Sequence, residues 1–170
     1  MFNQVFSNSL RFVFLILFQV FILNNIQLGG YLNPYLYVLF ILMLPFETPK
    51  GMLLLLAFFL GISVDMFSNT IGMHAMACLL LAFLRPYIVT YISPRGGYDF
   101  GAGPTIKDMG FNWYLSYTGI LILAHHILLF NLEVFRLSEF FSTLYRTLLS
   151  SVFTLALVII THYIITGKKS

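Results

Sequence analysis

This sequence predicts an all-α integral membrane protein with about six transmembrane helices in a compact bundle, and three observations carry that expectation. The 170 residues are 59% hydrophobic and 18% aromatic, with mean hydropathy +0.91. Only 9% are charged, against about 25% in a soluble domain. The apolar residues also gather into long runs separated by short polar breaks. Spans consume most of the chain, so a single membrane domain over residues 1–170 is expected, with any chemistry among the helices or in a short loop.

The first span, residues 8–26, is built on the apolar run 12–23 between Arg11 and the polar break 24–30. It lies where a signal peptide would lie, but no small-x-small cleavage site follows it and a second span soon does, so an uncleaved anchor is expected. The second span, 31–46, has Pro34 near its start, where a helix tolerates proline. It stops at Pro45-Phe46-Glu47-Thr48-Pro49-Lys50. The third, 51–65, is short, about 21 Å for its 14 apolar residues at 1.5 Å each, and ends at Asp65. The fourth, 71–92, carries His74 near its start and Arg85-Pro86 near its end, so spans three and four are expected to form a tight helical hairpin. A glycine-rich loop, 93–112, precedes the fifth span, 113–130, and the sixth, 144–166.

Positive residues orient this layout, because Lys and Arg collect in cytoplasmic loops. With both termini cytoplasmic, the inner side holds Arg11, Lys50, Arg85, Arg95, Lys107, Lys168 and Lys169, and the outer side holds Arg136 and Arg146. That imbalance favours an even number of spans, since an odd number would set the tail lysines opposite Arg11. The net charge of +3 follows from these anchors. No basic cluster is interleaved with exposed aromatics, so no nucleic-acid partner is expected. Trp113, Tyr114, Tyr117, Tyr31, Tyr35 and Tyr87 fall near span ends, as interfacial aromatics do.

Function must come from the polar exceptions. Asp65 is the most unusual, because an acid at the bilayer centre costs about 2.5–3.5 kcal/mol on insertion scales. It reads either as an ion, proton or partner-helix contact, or as an interfacial acid capping the next helix. Gly61, Ser63, Gly72, Ala75 and Ala77 supply small surfaces on both arms of the hairpin, for internal packing or for a partner. His74 lies within reach of Asp65 across the turn. His125 and His126 diverge by about 100° on a helix and cannot chelate one metal from one face. No HExxH sequence is present, His162 reads as a packing residue, and neither a metal nor a cofactor is expected.

Cys78 stands alone and reads as a small packing residue. Arg85-Pro86 reads as an anchor that snorkels to phosphates, with Pro86 kinking or stopping the helix. Glu47 beside Lys50 and Arg85 suggests a salt-bridged cluster that braces the hairpin or docks a cytoplasmic protein. The 93–112 loop lacks the GxxxxGK[ST] spacing of a phosphate loop and reads as a flexible connector or a docking loop. Asp65 is the only acid inside a span and no GxSxG stretch occurs, so an enzyme is not expected.

Taken in order, Leu44-Pro45-Phe46-Glu47-Thr48-Pro49, Ala57-Phe58-Phe59-Leu60-Gly61-Ile62-Ser63-Val64-Asp65-Met66-Phe67, Gly72-Met73-His74-Ala75 and Leu84-Arg85-Pro86 resemble the rod shape-determining MreD family. The match covers residues 44–92. It implies a non-enzymatic scaffold of the bacterial cell-elongation machinery in the cytoplasmic membrane. The implied partners are the bitopic protein MreC and, directly or indirectly, the MreB filament and the SEDS glycosyltransferase and transpeptidase of side-wall peptidoglycan synthesis. That family in turn resembles the six-helix substrate-binding subunits of energy-coupling-factor transporters. This gives the rival expectation of a membrane subunit that binds a small solute through Asp65, His74 or His125. Gly61, Asp65, Gly72 and Arg85 are the motif positions carried over.

Overall fold

The computed structural model describes residues 2–26, 32–134 and 139–166, with side chains from residue 6 onward. Residues 27–30, Tyr31, Arg136, Lys168 and Lys169 lie outside the described residues. The chain runs through α1 (Phe2–Phe21), a one-turn α2 (Leu39–Leu42), α3 (Lys50–Ser68), α4 (Met73–Tyr91), a one-turn α5 (Ile106–Met109), α6 (Phe111–Val134) and α7 (Phe140–Thr166), with no strand among the described residues. Five of these helices, α1, α3, α4, α6 and α7, are long and apolar enough to cross a membrane. Helices α3 and α4, α4 and α6, and α6 and α7 pack as successive neighbours, and α1 lies against α3.

The expected helix over 31–46 is not there. Asn33, Pro34 and Tyr35 are non-helical, a 3₁₀ turn spans Leu36–Val38, and α2 adds one α-helical turn before the chain breaks at Met43. Yet this is the most enclosed stretch of the protein: Tyr37, Val38, Leu39, Ile41 and Leu42 are all 0% exposed. Apolar residues on every side mark a segment enclosed by protein, and non-helical backbone is tolerated at membrane depth only in such a place.

Side chains of the surrounding helices replace the missing helical hydrogen bonds. Asn33 N donates to Ser150 Oγ (3.2 Å), Tyr35 N to Thr154 Oγ1 (3.1 Å) and Leu36 N to Gln19 Oε1 (2.9 Å), while Gln19 Nε2 donates to Pro34 O (2.9 Å). At the other end, Tyr117 Oη donates to Leu42 O (2.9 Å) and Arg85 Nη2 to Leu44 O. An extended residue advances about 3.3 Å against 1.5 Å in a helix, so partly extended backbone gives a short segment a longer reach.

Helix α3 is longer than expected, 19 residues or about 28 Å, because polar residues do not end it. Ser63 returns its hydroxyl to Phe59 O (2.7 Å) and the helix continues to Ser68. Pro86 likewise neither starts a loop nor stops α4, which runs to Tyr91. Tyr35, Tyr114 and Tyr117, expected at the membrane interface, are core residues instead. The 93–112 loop is tied down rather than free. Tyr98 Oη donates to Val89 O (2.5 Å), Trp113 Nε1 to Ile92 O (3.1 Å) and Ile106 N to His162 Nε2 (3.1 Å). Thr105 caps α5 by accepting from Asp108 N (3.1 Å). Burial raises the Tyr98 phenol above its ordinary range, in keeping with its role as a donor.

Candidate functional site

The polar exceptions gather at two places, one at each end of the α3–α4 hairpin. At the turn, Asn69 (φ 53°) ends α3 in the left-handed region and Gly72 (φ 75°) opens α4 from it. The two left-handed residues reverse the chain sharply, so the first turn of α4 lands on Asp65. Gly72 needs its glycine for this conformation, which side-chain-bearing residues rarely adopt.

Asp65 is 2% exposed, and its carboxylate is fully employed. Oδ1 accepts from Thr70 Oγ1 (2.5 Å), His74 N (3.1 Å) and His74 Nδ1 (3.0 Å), and Oδ2 accepts from Ala75 N (3.0 Å). His74 N and Ala75 N are among the four amides that a helix start leaves without partners. A carboxylate from the preceding helix thus does the work of an N-cap, at the end where the helix dipole favours negative charge.

Gly61 lies one turn before Asp65, and its missing side chain is what lets the two helices meet. A Cβ there would sit 2.4 Å from Ala75 Cα and 2.7 Å from His74 O. The small face of Gly61 is therefore filled by α4 of the same chain.

His74 gives its Nδ1 hydrogen to Asp65, so in the neutral form its Nε2 is a bare acceptor. It lines a cavity of about 350 Å³ together with Tyr35, Asn33, Phe67, Glu133 and Arg146. Arg146 stacks over the Phe130 ring (4.6 Å) and donates to Glu133 Oε1 (3.0 Å). With the Asn33 amide oriented to satisfy both partners, its oxygen also accepts from Arg146 Nε (3.1 Å).

Arg85 dominates the opposite end. It is 2% exposed and does not snorkel. Its Nε donates to Tyr117 Oη (2.6 Å), and its guanidinium reaches the carbonyls of Leu44 and Pro45. The fork of guanidinium donors suits several carbonyls at once, and the break after α2 supplies them. The expected cluster of Glu47, Lys50 and Arg85 does not form: Glu47 is exposed and Lys50 lies 5.7 Å over the Tyr87 ring. Phe46 packs at a tilt against the Tyr98 ring (4.6 Å) and meets Trp113 edge-on. Pro45 contributes its carbonyl and Pro86 is half-buried within α4.

No family model matches this chain, and no curated protein or solved structure matches it either.

His125 and His126 diverge as their adjacency requires. His125 Nε2 meets Tyr37 Oη (2.9 Å), whereas His126 Nδ1 lies 2.8 Å from Ile122 O and Nε2 lies 3.1 Å from Thr154 Oγ1. A carbonyl only accepts, so His126 carries its hydrogen on Nδ1. In the neutral form, Thr154 then donates to Nε2 and accepts from Tyr35 N. Among the described residues no three His, Cys, Asp or Glu side chains are placed to hold a metal ion.

Several residues in these networks were not singled out in the sequence: Gln19, Tyr37, Ser150 and Thr154. A signal for some of them existed. Thr143, Thr147, Ser150, Thr154, Val158 and His162 recur at helical spacing along α7 and all are buried. A polar stripe on an otherwise apolar helix marks its protein-facing side.

Proposed function

We propose that this protein is a non-enzymatic, six-pass scaffold of the bacterial cell-elongation complex in the cytoplasmic membrane, holding an MreC-like bitopic protein in register with wall-synthesis enzymes. The observation that carries this reading is that the four sequence pieces resembling the MreD family meet in two pairs, the first with the fourth and the second with the third. Arg85 holds Leu44 and Pro45, Gly61 receives Ala75, and Asp65 caps the turn containing His74. They form two sets of internal fasteners, one at each end of the α3–α4 hairpin, as expected of residues that specify a common fold.

The six passes are α1, the buried 33–46 segment, α3, α4, α6 and α7. Ser7 and Asn8 of α1 and Ile165 and Thr166 of α7 line one wide cavity of about 920 Å³ with the 100–108 loop. That the described ends of α1 and α7 share this cavity with Arg11 and Lys107 supports an orientation with this end cytoplasmic, by the positive-inside rule. The test is a mild-detergent pull-down of the tagged chain. Co-purification of an MreC-like single-span protein with wall-synthesis enzymes supports the scaffold; recovery of ATPase subunits with a coupling membrane protein overturns it.

The cavity beside His74 favours a second reading, a solute-binding membrane subunit. Its volume falls in the range of about 300–1,000 Å³ usual for small-molecule sites. Saturable binding of a small solute by the purified protein is the measurement that supports it.

A further inference from the structure

The cavity beside the hairpin turn holds two polar atoms whose hydrogen-bonding capacity is unspent. His74 is 5% exposed and Tyr35 9% exposed. His74 commits its backbone amide and Nδ1 to Asp65, and Tyr35 commits its amide to Thr154. That leaves His74 Nε2 and Tyr35 Oη without a partner, and neither is among the fully enclosed atoms, so both keep surface toward the cavity. The two rings meet edge to face, 5.5 Å apart.

The character of these groups is set by what lies behind them. Asp65 accepts from Nδ1, which leaves Nε2 of the neutral imidazole as an acceptor. At the rim, Glu133 spends one carboxylate oxygen on Arg146 and keeps the other. The Arg146 guanidinium is already engaged by Glu133, Asn33 and the Phe130 ring. His74 Nε2, Tyr35 Oη and the second Glu133 oxygen are thus open acceptors on one cavity, while Val20, Leu23, Phe67, Met73 and Leu129 supply apolar wall.

We infer that this cavity binds a primary ammonium group, through N–H donation to His74 Nε2, Tyr35 Oη and Glu133, with the attached hydrocarbon against the apolar wall. Two sources share that chemistry, a free amine and the ethanolamine head group of a phospholipid. The inference rests on the solute-binding reading of the cavity and is independent of the scaffold reading.

The experiment uses the full chain, labelled with ¹⁵N-histidine, in phosphatidylcholine nanodiscs. The His74 imidazole resonance is assigned by its loss in His74→Gln. Ethanolamine should shift it saturably, and choline, which has no N–H, should not. Replacing part of the phosphatidylcholine with phosphatidylethanolamine reports the lipid source: a shift there, blunting the response to free ethanolamine, assigns the head group. Tyr35→Phe should weaken the response about three- to tenfold, as loss of one hydrogen bond does. Glu133→Gln, at the exposed rim, keeps the inference testable if Tyr35→Phe fails to fold, and should also weaken it. An equal response to choline overturns the ammonium assignment while leaving a solute-binding cavity. No response to ethanolamine in either lipid, with the His74 resonance otherwise intact, overturns the inference itself.

Discussion

Replacing Gly61 with alanine adds one carbon atom at the most crowded of the described glycines. That Cβ would lie 2.4 Å from Ala75 Cα and 2.6 Å from Ala75 N, both backbone atoms of a neighbouring helix that no rotamer change can move. Carbon atoms rest at about 3.5–4.0 Å, so α3 and α4 must separate by about 1 Å, and a gap of that size forfeits up to about half of each contact's attraction along the seam. Overpacking of this kind costs about 1–3 kcal/mol. The separation also reaches Asp65, whose bonds to His74 N and Ala75 N are already 3.1 and 3.0 Å and have no slack. Taking about 2 kcal/mol, the melting temperature should fall by about 4–8 °C, at about 2–4 °C per kcal/mol for a chain of this length. The assay is thermal unfolding of the purified protein in detergent, with Gly51→Ala on the same helix as control, since a Cβ at Gly51 meets nothing within 4 Å. Equal melting of the two variants would refute the close-approach account.

Asp65→Asn keeps the shape but presents an amide nitrogen where one of four donors must be accepted, and should destabilise the protein by about 2 kcal/mol or more; an unchanged melt would remove the capping role. Because Gly61 and Asp65 serve the same turn, their double variant should be less destabilised than the sum of the singles, whereas strict additivity would uncouple them. Arg85→Lys replaces a planar fork by a single point and cannot serve Tyr117, Leu44 and Pro45 together, so amide exchange over residues 44–49 should rise and stability fall by about 1–3 kcal/mol; wild-type exchange rates there would count against the clamp. Thr154→Val removes the hydroxyl shared by Tyr35 N and His126 Nε2, at a cost of about 1–3 kcal/mol for the buried groups left unpaired, and a neutral effect on melting would show that the network is not built as described.

Much of the architecture was legible because lipid imposes a coarse code. Four of the six expected spans correspond to α3, α4, α6 and α7 with shifted ends, and α1 covers most of the first. The shifts have a common cause. Ser63, Asp65, Ser68 and Asn131 are polar, yet each remains helical, with Ser63 and Asn131 returning their side chains to carbonyls one turn back. The 31–46 segment was misread because an apolar run records burial and not conformation. Its backbone is set by partners far away in sequence, Ser150 and Thr154 on one side and Arg85 and Tyr117 on the other, and no local pattern encodes them. Among the candidate site residues, Asp65 and His74 were visible together because a short turn joins them. Tyr35 was visible only as an aromatic near a span end, and its place in the cavity depends on the non-helical backbone around it.

The internal use of Gly61 changes where a partner would have to bind. A bulky residue at Gly61 would open the hairpin, so loss of a partner in Gly61→Leu would follow from damage to the fold and carry no information about an interface. At about 100° per residue, Gly61 and Asp65 face α4 while Met52, Leu55, Phe59 and Met66 lie on the opposite side of α3, all at least half exposed. A single-span partner that packs on this arm must use that outward stripe, which lipid otherwise covers. Leu55→Gln and Phe59→Ala remove contact area there without touching the turn, and should leave melting within about 1 kcal/mol of wild type, as expected for changes outside the core. If co-purification of the proposed MreC-like partner falls in these variants while the melt holds, the interface lies on α3. If it survives them, α3 serves only as a wall of the bundle and the proposed scaffold surface lies on another helix.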